Sequence, residues 1–139
     1  MKLKKLVPIV TTDRINEVKE FYTSYFNFKV CFEMEDKHLS IVSGKDPEFE
    51  ISFMAPENDQ QPTFAGHGLT YCLEVNDVDS EFLRLSNEGL EIVQQVQDNP
   101  WGDRSFILLD PAGVAIYIFH LISPTEEFKQ YFKTAHETS

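Results

Sequence analysis

The feature that most constrains this chain is an element order that occurs twice. Leu6 to Thr11 reads as a strand. Asp13 stands where a helix N-cap would, ahead of Val18, Phe21, Tyr22, Tyr25 and Phe26 at helical spacing. Strands are predicted over Phe28 to Met34, His38 to Val42 and Phe49 to Met54, separated by turn signals at Asp36-Lys37 and Ser43-Gly44-Lys45-Asp46-Pro47. The stretch Ala55 to Ala65, with Pro56, Asn58, Asp59 and Pro62, reads as a linker. The order then starts again. Leu69 to Val75 is a predicted strand, and Asp77 caps a helix with Val78, Phe82 and Leu85 on one face, stopped by Gly89. Strands follow over Leu90 to Val96, Arg104 to Leu109 and Val114 to Ile122, with Asp110-Pro111-Ala112-Gly113 as the last turn. Both halves read β-α-β-β-β, a duplication that limits the fold to two copies of one module.

Composition narrows the function classes. The 139 residues carry 12 Lys and Arg against 23 Asp and Glu, a net charge of −11. Such a balance argues against nucleic acid, which needs clustered basic residues, and leaves cationic ligands open. No apolar run has the length of a membrane span. Met1-Lys2-Leu3-Lys4-Lys5 imitates the start of a secretion signal, but Leu6 to Val10 is short and contains Pro8. With only Cys31 and Cys72, free thiols and a cytoplasmic location are expected. At the tail, Ser123-Pro124-Thr125-Glu126 combines the signals of an N-cap serine, a first-turn proline and a glutamate at N3. They predict a C-terminal helix over about 124–135, its stripe of Phe128, Tyr131 and Phe132 packing on the domain or covering a cavity or partner.

Particular residues support a family resemblance. A tandem β-α-β-β-β chain with Phe21-Tyr22 in the first helix, Glu74-Val75-Asn76-Asp77-Val78-Asp79 at the second strand–helix junction, Leu90 after Gly89, and Asp110-Pro111-Ala112-Gly113 before the last strand resembles the vicinal oxygen chelate superfamily. That group includes glyoxalases, extradiol dioxygenases and bleomycin-resistance proteins. Trp101-Gly102-Asp103-Arg104-Ser105-Phe106 is similar to the corresponding segment of the bleomycin-resistance-like members. The resemblance implies an α+β fold of two tandem modules forming curved mixed sheets around a cleft, plus the C-terminal helix. Module one is expected over about 5–55, the linker over 56–66 and module two over 67–122. It also implies a homodimer.

Metal-using members of that family place His, Glu or Gln ligands on the first and fourth strand of each module. Counted from the motifs above, those positions fall here on Val7, Thr70 and Tyr117, with the remaining one near Ser52. Val has no donor, Ser and Thr are weak neutral ones, and a Tyr phenol is protonated near neutral pH. His38, His67, His120 and His136 are not spaced to converge on one ion. No metal and no other cofactor is therefore expected.

The expectation is a small-molecule binding site in an aromatic cleft, of the antibiotic-resistance type, that takes a planar or cationic metabolite or antibiotic. Strand parity puts Cys72 and Glu74 on the cleft face if Thr70 is there, and Ala115 and Phe119 on it if Tyr117 is. Trp101 offers a stacking face and Arg104 a forked donor, or else a core lid and a structural ion pair. Val7 and a residue of the fourth strand, Phe53 or Met54 according to its register, complete the expected lining, with Phe53 taken as the inward one. Cys72 reads as a small buried residue rather than a nucleophile. No catalytic residue is assigned. The competing reading is a lyase, isomerase or dioxygenase with atypical ligands, or acid–base catalysis by Glu74 or Tyr117.

Overall fold

The computed structural model describes residues 1–44 and 48–133. Its first half contains β1 (Ile9–Thr11), α1 (Ile15–Tyr25), β2 (Lys29–Met34), β3 (His38–Val42) and β4 (Glu50–Met54). The second contains β5 (Thr70–Glu74), α2 (Val78–Asn87), β6 (Ile92–Asn99), β7 (Asp103–Leu109) and β8 (Ala115–Leu121), followed by α3 (Glu126–Lys129). Each half builds a four-stranded mixed sheet, in the orders β1-β4-β3-β2 and β5-β8-β7-β6. The first strand of each half runs parallel to the last, and the other pairs are antiparallel. The fold is thus α+β with two tandem modules, as the repeat predicts.

Contacts divide the chain into two compact units. One comprises Met1–Leu69 with Asp110–Val114, and the other Thr70–Leu109 with the residues from Ala115 onward. In the first unit, Ile15, Val18, Phe21 and Tyr22 form the buried stripe of α1. They share a core with Val10, Leu39, Ile41 and Phe53, and the Tyr22 and Phe53 rings lie 5.7 Å apart. In the second unit, α2 buries Val78 and Leu85. Phe106, Leu108, Ile116 and Ile118 are buried at alternate positions of β7 and β8, and Phe82 meets Phe106 edge to face at 5.3 Å. Each fully buried large apolar side chain contributes about 1.5–3 kcal/mol.

Helix ends show where local signals succeed and fail. Asp77 caps α2 through bonds from the Asp79 and Ser80 amides, and Gly89 follows with φ +85°. Asp13 does not cap α1. The N-cap position is Arg14, whose own amide donates to Thr12 Oγ1. Ser123 does not cap α3 either: that position belongs to Thr125, and the helix is a single turn. The predicted helix over 124–135 extends beyond the described residues, as does His136. Lys45, Asp46 and Pro47 of the predicted turn also lie outside them.

A buried polar clasp organises the first unit. Tyr22 Oη donates to Asp110 Oδ2 at 2.7 Å, while the Ala112 and Val114 amides donate to Oδ1. Burial pushes the Asp110 carboxyl above the usual carboxylate range, and these donors oppose the shift. A raised folded pKa stabilises fully below the unfolded pKa, and that contribution is lost as pH rises through the folded value. At neutral pH the carboxylate relies on its donors. Tyr22→Phe should therefore cost about 1.5–3 kcal/mol there and less at a pH low enough for Asp110 to take up its proton. Urea unfolding at both pH values checks this, and an equal loss at each would refute it.

Candidate functional site

Strand alternation gives the second sheet two unlike faces. One packs on α2. The other carries Thr70, Cys72 and Glu74 from β5, Ala115, Tyr117 and Phe119 from β8, and Asp103 and Ser105 from β7. Register aligns them: Cys72 stands opposite Tyr117, Ser105 opposite Phe119, and Asn99 opposite Asp103.

These residues form a polar cluster on that face. Asn99 Nδ2 donates to Asp103 Oδ1 at 2.7 Å and to Ser105 Oγ at 2.9 Å, and Gln97 Nε2 donates to Asn99 Oδ1 at 2.7 Å. Tyr117 Oη donates to the Asp103 carboxylate, with both oxygens at 2.9 Å. Trp101 Nε1 lies 3.1 Å from Asp103 Oδ2 and 3.3 Å from Tyr117 Oη. Asp103 therefore accepts from an amide, a phenol and an indole, although only 8% of it is exposed.

Titration follows from this arrangement. Burial raises the Tyr117 phenol above its ordinary value, and Asp103 adds to the rise, while bonds with Ser105 and Trp101 oppose it. Partial desolvation also raises the Cys72 thiol, although the residue is exposed, and the Asp103 charge raises it further. Tyr117 is thus held as a donor and Cys72 as a neutral thiol, which makes Cys72 a poor nucleophile.

The loop after β6 aims Trp101. Gly102 has φ +114°, and a Cβ there would lie 3.2 Å from both Ile122 O and Pro124 Cβ. Only glycine allows that approach without displacing a neighbour. Backbone bonds from Ile122 N to Gly102 O and from Thr125 N to Pro100 O tie the loop to the chain ahead of α3. Phe128 of α3 consequently stands edge-on to Trp101, with centroids 6.3 Å apart, and Tyr131 follows at 5.8 Å from Phe128. A groove of about 420 Å³ opens between them, lined by Trp101, Asp103, Leu121, Phe128, Tyr131 and Lys133, among others. Trp101 is 44% exposed.

The structure brings some predicted site residues together and separates others. Tyr117 and Trp101 belong to the cluster. Thr70, Cys72 and Phe119 share its sheet face, as does Glu74 at the end of β5; Cys72, expected to be a small buried residue, is exposed there, because β5 turns it away from α2. Arg104 does not. Its side chain projects from the opposite face, where it pairs with Asp79 and Asp98, and those carboxylates hold its pKa well above the ordinary value. Its fork is already occupied. Phe53 is likewise corrected: it lies between Val10 and Leu39 in the first unit's core, buried against Tyr22, because Ser52 and Met54 take the other face of β4. Val7 lies in the first unit, ahead of β1 and partly buried.

Asn99, Asp103 and Ser105 are not among the site residues that the sequence singles out. The strands predicted over Leu90 to Val96 and Arg104 to Leu109 stop short of the rung that joins Asn99 to Asp103. Two irregularities, between Ile92 and Gln94 and between Gln94 and Gln97, interrupt the alternation of β6 and then restore it, so Asn99 keeps the face that alternation from Ile92 gives it. The signal for Asp103 and Ser105 was present: they alternate with Arg104 and with Phe106, a residue of high β propensity.

The donors do not fit a divalent metal at the family's positions. Val7 offers none, Ser52 Oγ is bonded to Ser40 Oγ at 2.7 Å, and Tyr117 Oη is engaged by Asp103. Among the described residues, no three of His, Cys, Asp and Glu are grouped to hold an ion. His120 is occupied on the helix side, its Nδ1 accepting from the Val78 amide at 2.9 Å. No helix among the described residues is long and apolar enough to cross a membrane.

Residues 5–118 match a family model described as the Glyoxalase/Bleomycin resistance protein/Dioxygenase superfamily. An uncharacterised protein of Mycobacterium bovis is 35% identical over 65 residues, which cover 46% of this chain and 43% of that protein. One from Mycobacterium tuberculosis matches at the same identity and length, over 46% of this chain and 38% of that protein. The chain spans less than half the length of these curated relatives. Among solved structures, a glyoxalase/bleomycin resistance protein/dioxygenase from Nocardioides has a TM-score of 0.72 at 18% identity, covering 88% of this chain and 86% of that one. TioX from Micromonospora sp. ML1 has a TM-score of 0.66 at 21% identity, covering 86% and 99%. Lactoylglutathione lyase from Agrobacterium tumefaciens has 0.66 at 16%, covering 86% and 96%. At such identities the likeness is one of fold.

The position of Cys72 beside Asp103 is testable. In a Cys31→Ser background, the pH profile of Cys72 alkylation should have its inflection above that of a free thiol. Asp103→Asn should move it down, since the thiolate then forms without an anion nearby. An inflection that stays in place would separate the two residues.

Proposed function

The chain belongs to the Glyoxalase/Bleomycin resistance protein/Dioxygenase superfamily, and within it we propose a small-molecule binding protein that sequesters a planar or cationic metabolite or antibiotic. The receiving surface is the groove beside Trp101. One observation carries this reading: an indole that is partly exposed, with its N–H tethered by Asp103 and Tyr117, lines an aromatic groove. The tether restrains the ring, so a ligand that stacks on it meets a surface already ordered. Large apolar walls with a few convergent polar groups are the usual make-up of a small-molecule site.

The chemistry of the cluster favours binding over turnover. Tyr117, kept protonated by burial, suits a hydrogen-bond donor better than a base. The residues at the family's metal positions supply no coordinating set, so no metal-assisted step is derived.

Trp101 is the only tryptophan, so emission excited at the indole edge reports on this groove alone. Titration with planar aromatic cations and antibiotics, bleomycin among them, should give saturable quenching or a spectral shift for at least one class. Calorimetry on Trp101→Phe should show that heat of binding reduced. A panel that leaves Trp101 emission unchanged would defeat the proposal.

A further inference from the structure

Asp103 is a mostly buried carboxylate whose hydrogen-bond partners are all neutral. Asn99 and Tyr117 serve Oδ1, while Tyr117 and Trp101 serve Oδ2. The neighbouring guanidinium, Arg104, points to the other face and is bound to Asp79 and Asp98. Among the described residues no cation forms an ion pair with Asp103. Buried charges are normally paired, because leaving one uncompensated costs several kcal/mol even when hydrogen bonds relieve part of it. This carboxylate also lines the groove.

The indole between Asp103 and the groove changes what that charge does. An N–H that donates to an anion is polarised, and electron density moves into the ring. The face of such an indole attracts cations more strongly than that of a free one. Phe128, 6.3 Å from Trp101, and Tyr131, 5.8 Å from Phe128, add two more rings to the same groove. We infer that the groove is a receptor for an organic cation, held against the Trp101 face, with Asp103 supplying the compensating charge through the Trp101 N–H bond and by direct field. The inference rests on the reading that this groove binds a small molecule, and it adds the ligand's charge. Lys133, the cation that lines the groove, is exposed, and its long stem lets the ammonium remain in water. The net charge of −11 adds long-range attraction of the same sign.

A matched pair isolates charge from shape. (4-Hydroxyphenyl)trimethylammonium and 4-tert-butylphenol differ in one atom, a cationic nitrogen against a neutral carbon. Trp101 fluorescence titration at mildly acid pH should show the cation binding roughly tenfold tighter. Asp103→Asn should abolish most of that preference, bringing the ratio of the two affinities close to one whatever its effect on each alone. Lys133→Gln should widen the preference. Equal affinities in the wild type would overturn the inference while leaving small-molecule binding intact. So would an undiminished preference in a folded Asp103→Asn protein. If neither compound perturbs Trp101 at millimolar concentration, the inference fails, and the broader panel above decides whether the binding reading fails with it. If Asp103→Asn does not fold by circular dichroism, Lys133→Gln decides, and an unchanged ratio in that variant would count against the inference.

Discussion

The structure of the second unit depends on one constraint: side chains along a strand alternate between two faces. Phe106, Leu108, Ile116 and Ile118 are drawn toward α2 because their burial stabilises the fold. Once they are placed, Asp103, Ser105 and Tyr117 must point the other way. A slip of one residue would turn Arg104 into the cluster and Asp103 toward the helix. The apolar core therefore sets the polar site, although the two share no side chain. The same rule puts Phe53 in the first unit's core.

The cluster is costly to bury and is satisfied by close pairing. Ser105 is fully buried, and its hydroxyl accepts from Asn99. Asn99 Nδ2 faces three acceptors with two hydrogens, so its 3.2 Å contact to Tyr117 Oη is the weakest. Asp103 draws the remaining donors together. Such a network is stable when complete and gives way where a donor is withdrawn. That couples Tyr117, Trp101 and the groove wall to a single carboxylate.

Much of the fold was legible because the signals were local. Asp77 and Gly89 mark the ends of α2 by capping chemistry that needs only adjacent residues. The site was less legible. Trp101 and Tyr117 could be singled out by type and parity, but Arg104 was misplaced because its partners, Asp79 and Asp98, come from other elements. Asp13 and Ser123 had the right chemistry for caps. The backbone instead began its helices one residue or more later, with Thr12 engaging the Arg14 amide.

Residue order alone encodes the duplicated β-α-β-β-β pattern, the strand parity of Thr70, Cys72 and Tyr117, and the want of coordinating side chains at the family's metal positions. Periodicity and residue chemistry are properties of short segments, so they can be read without knowing what lies nearby. That Asn99, Trp101, Asp103, Ser105 and Tyr117 meet is a product of the assembled sheet. That meeting depends on the register of β6 against β7, on a glycine turn with φ +114° at Gly102, and on the register between β7 and β8. Register is settled by the burial of whole faces, a cooperative quantity that no short stretch of sequence contains.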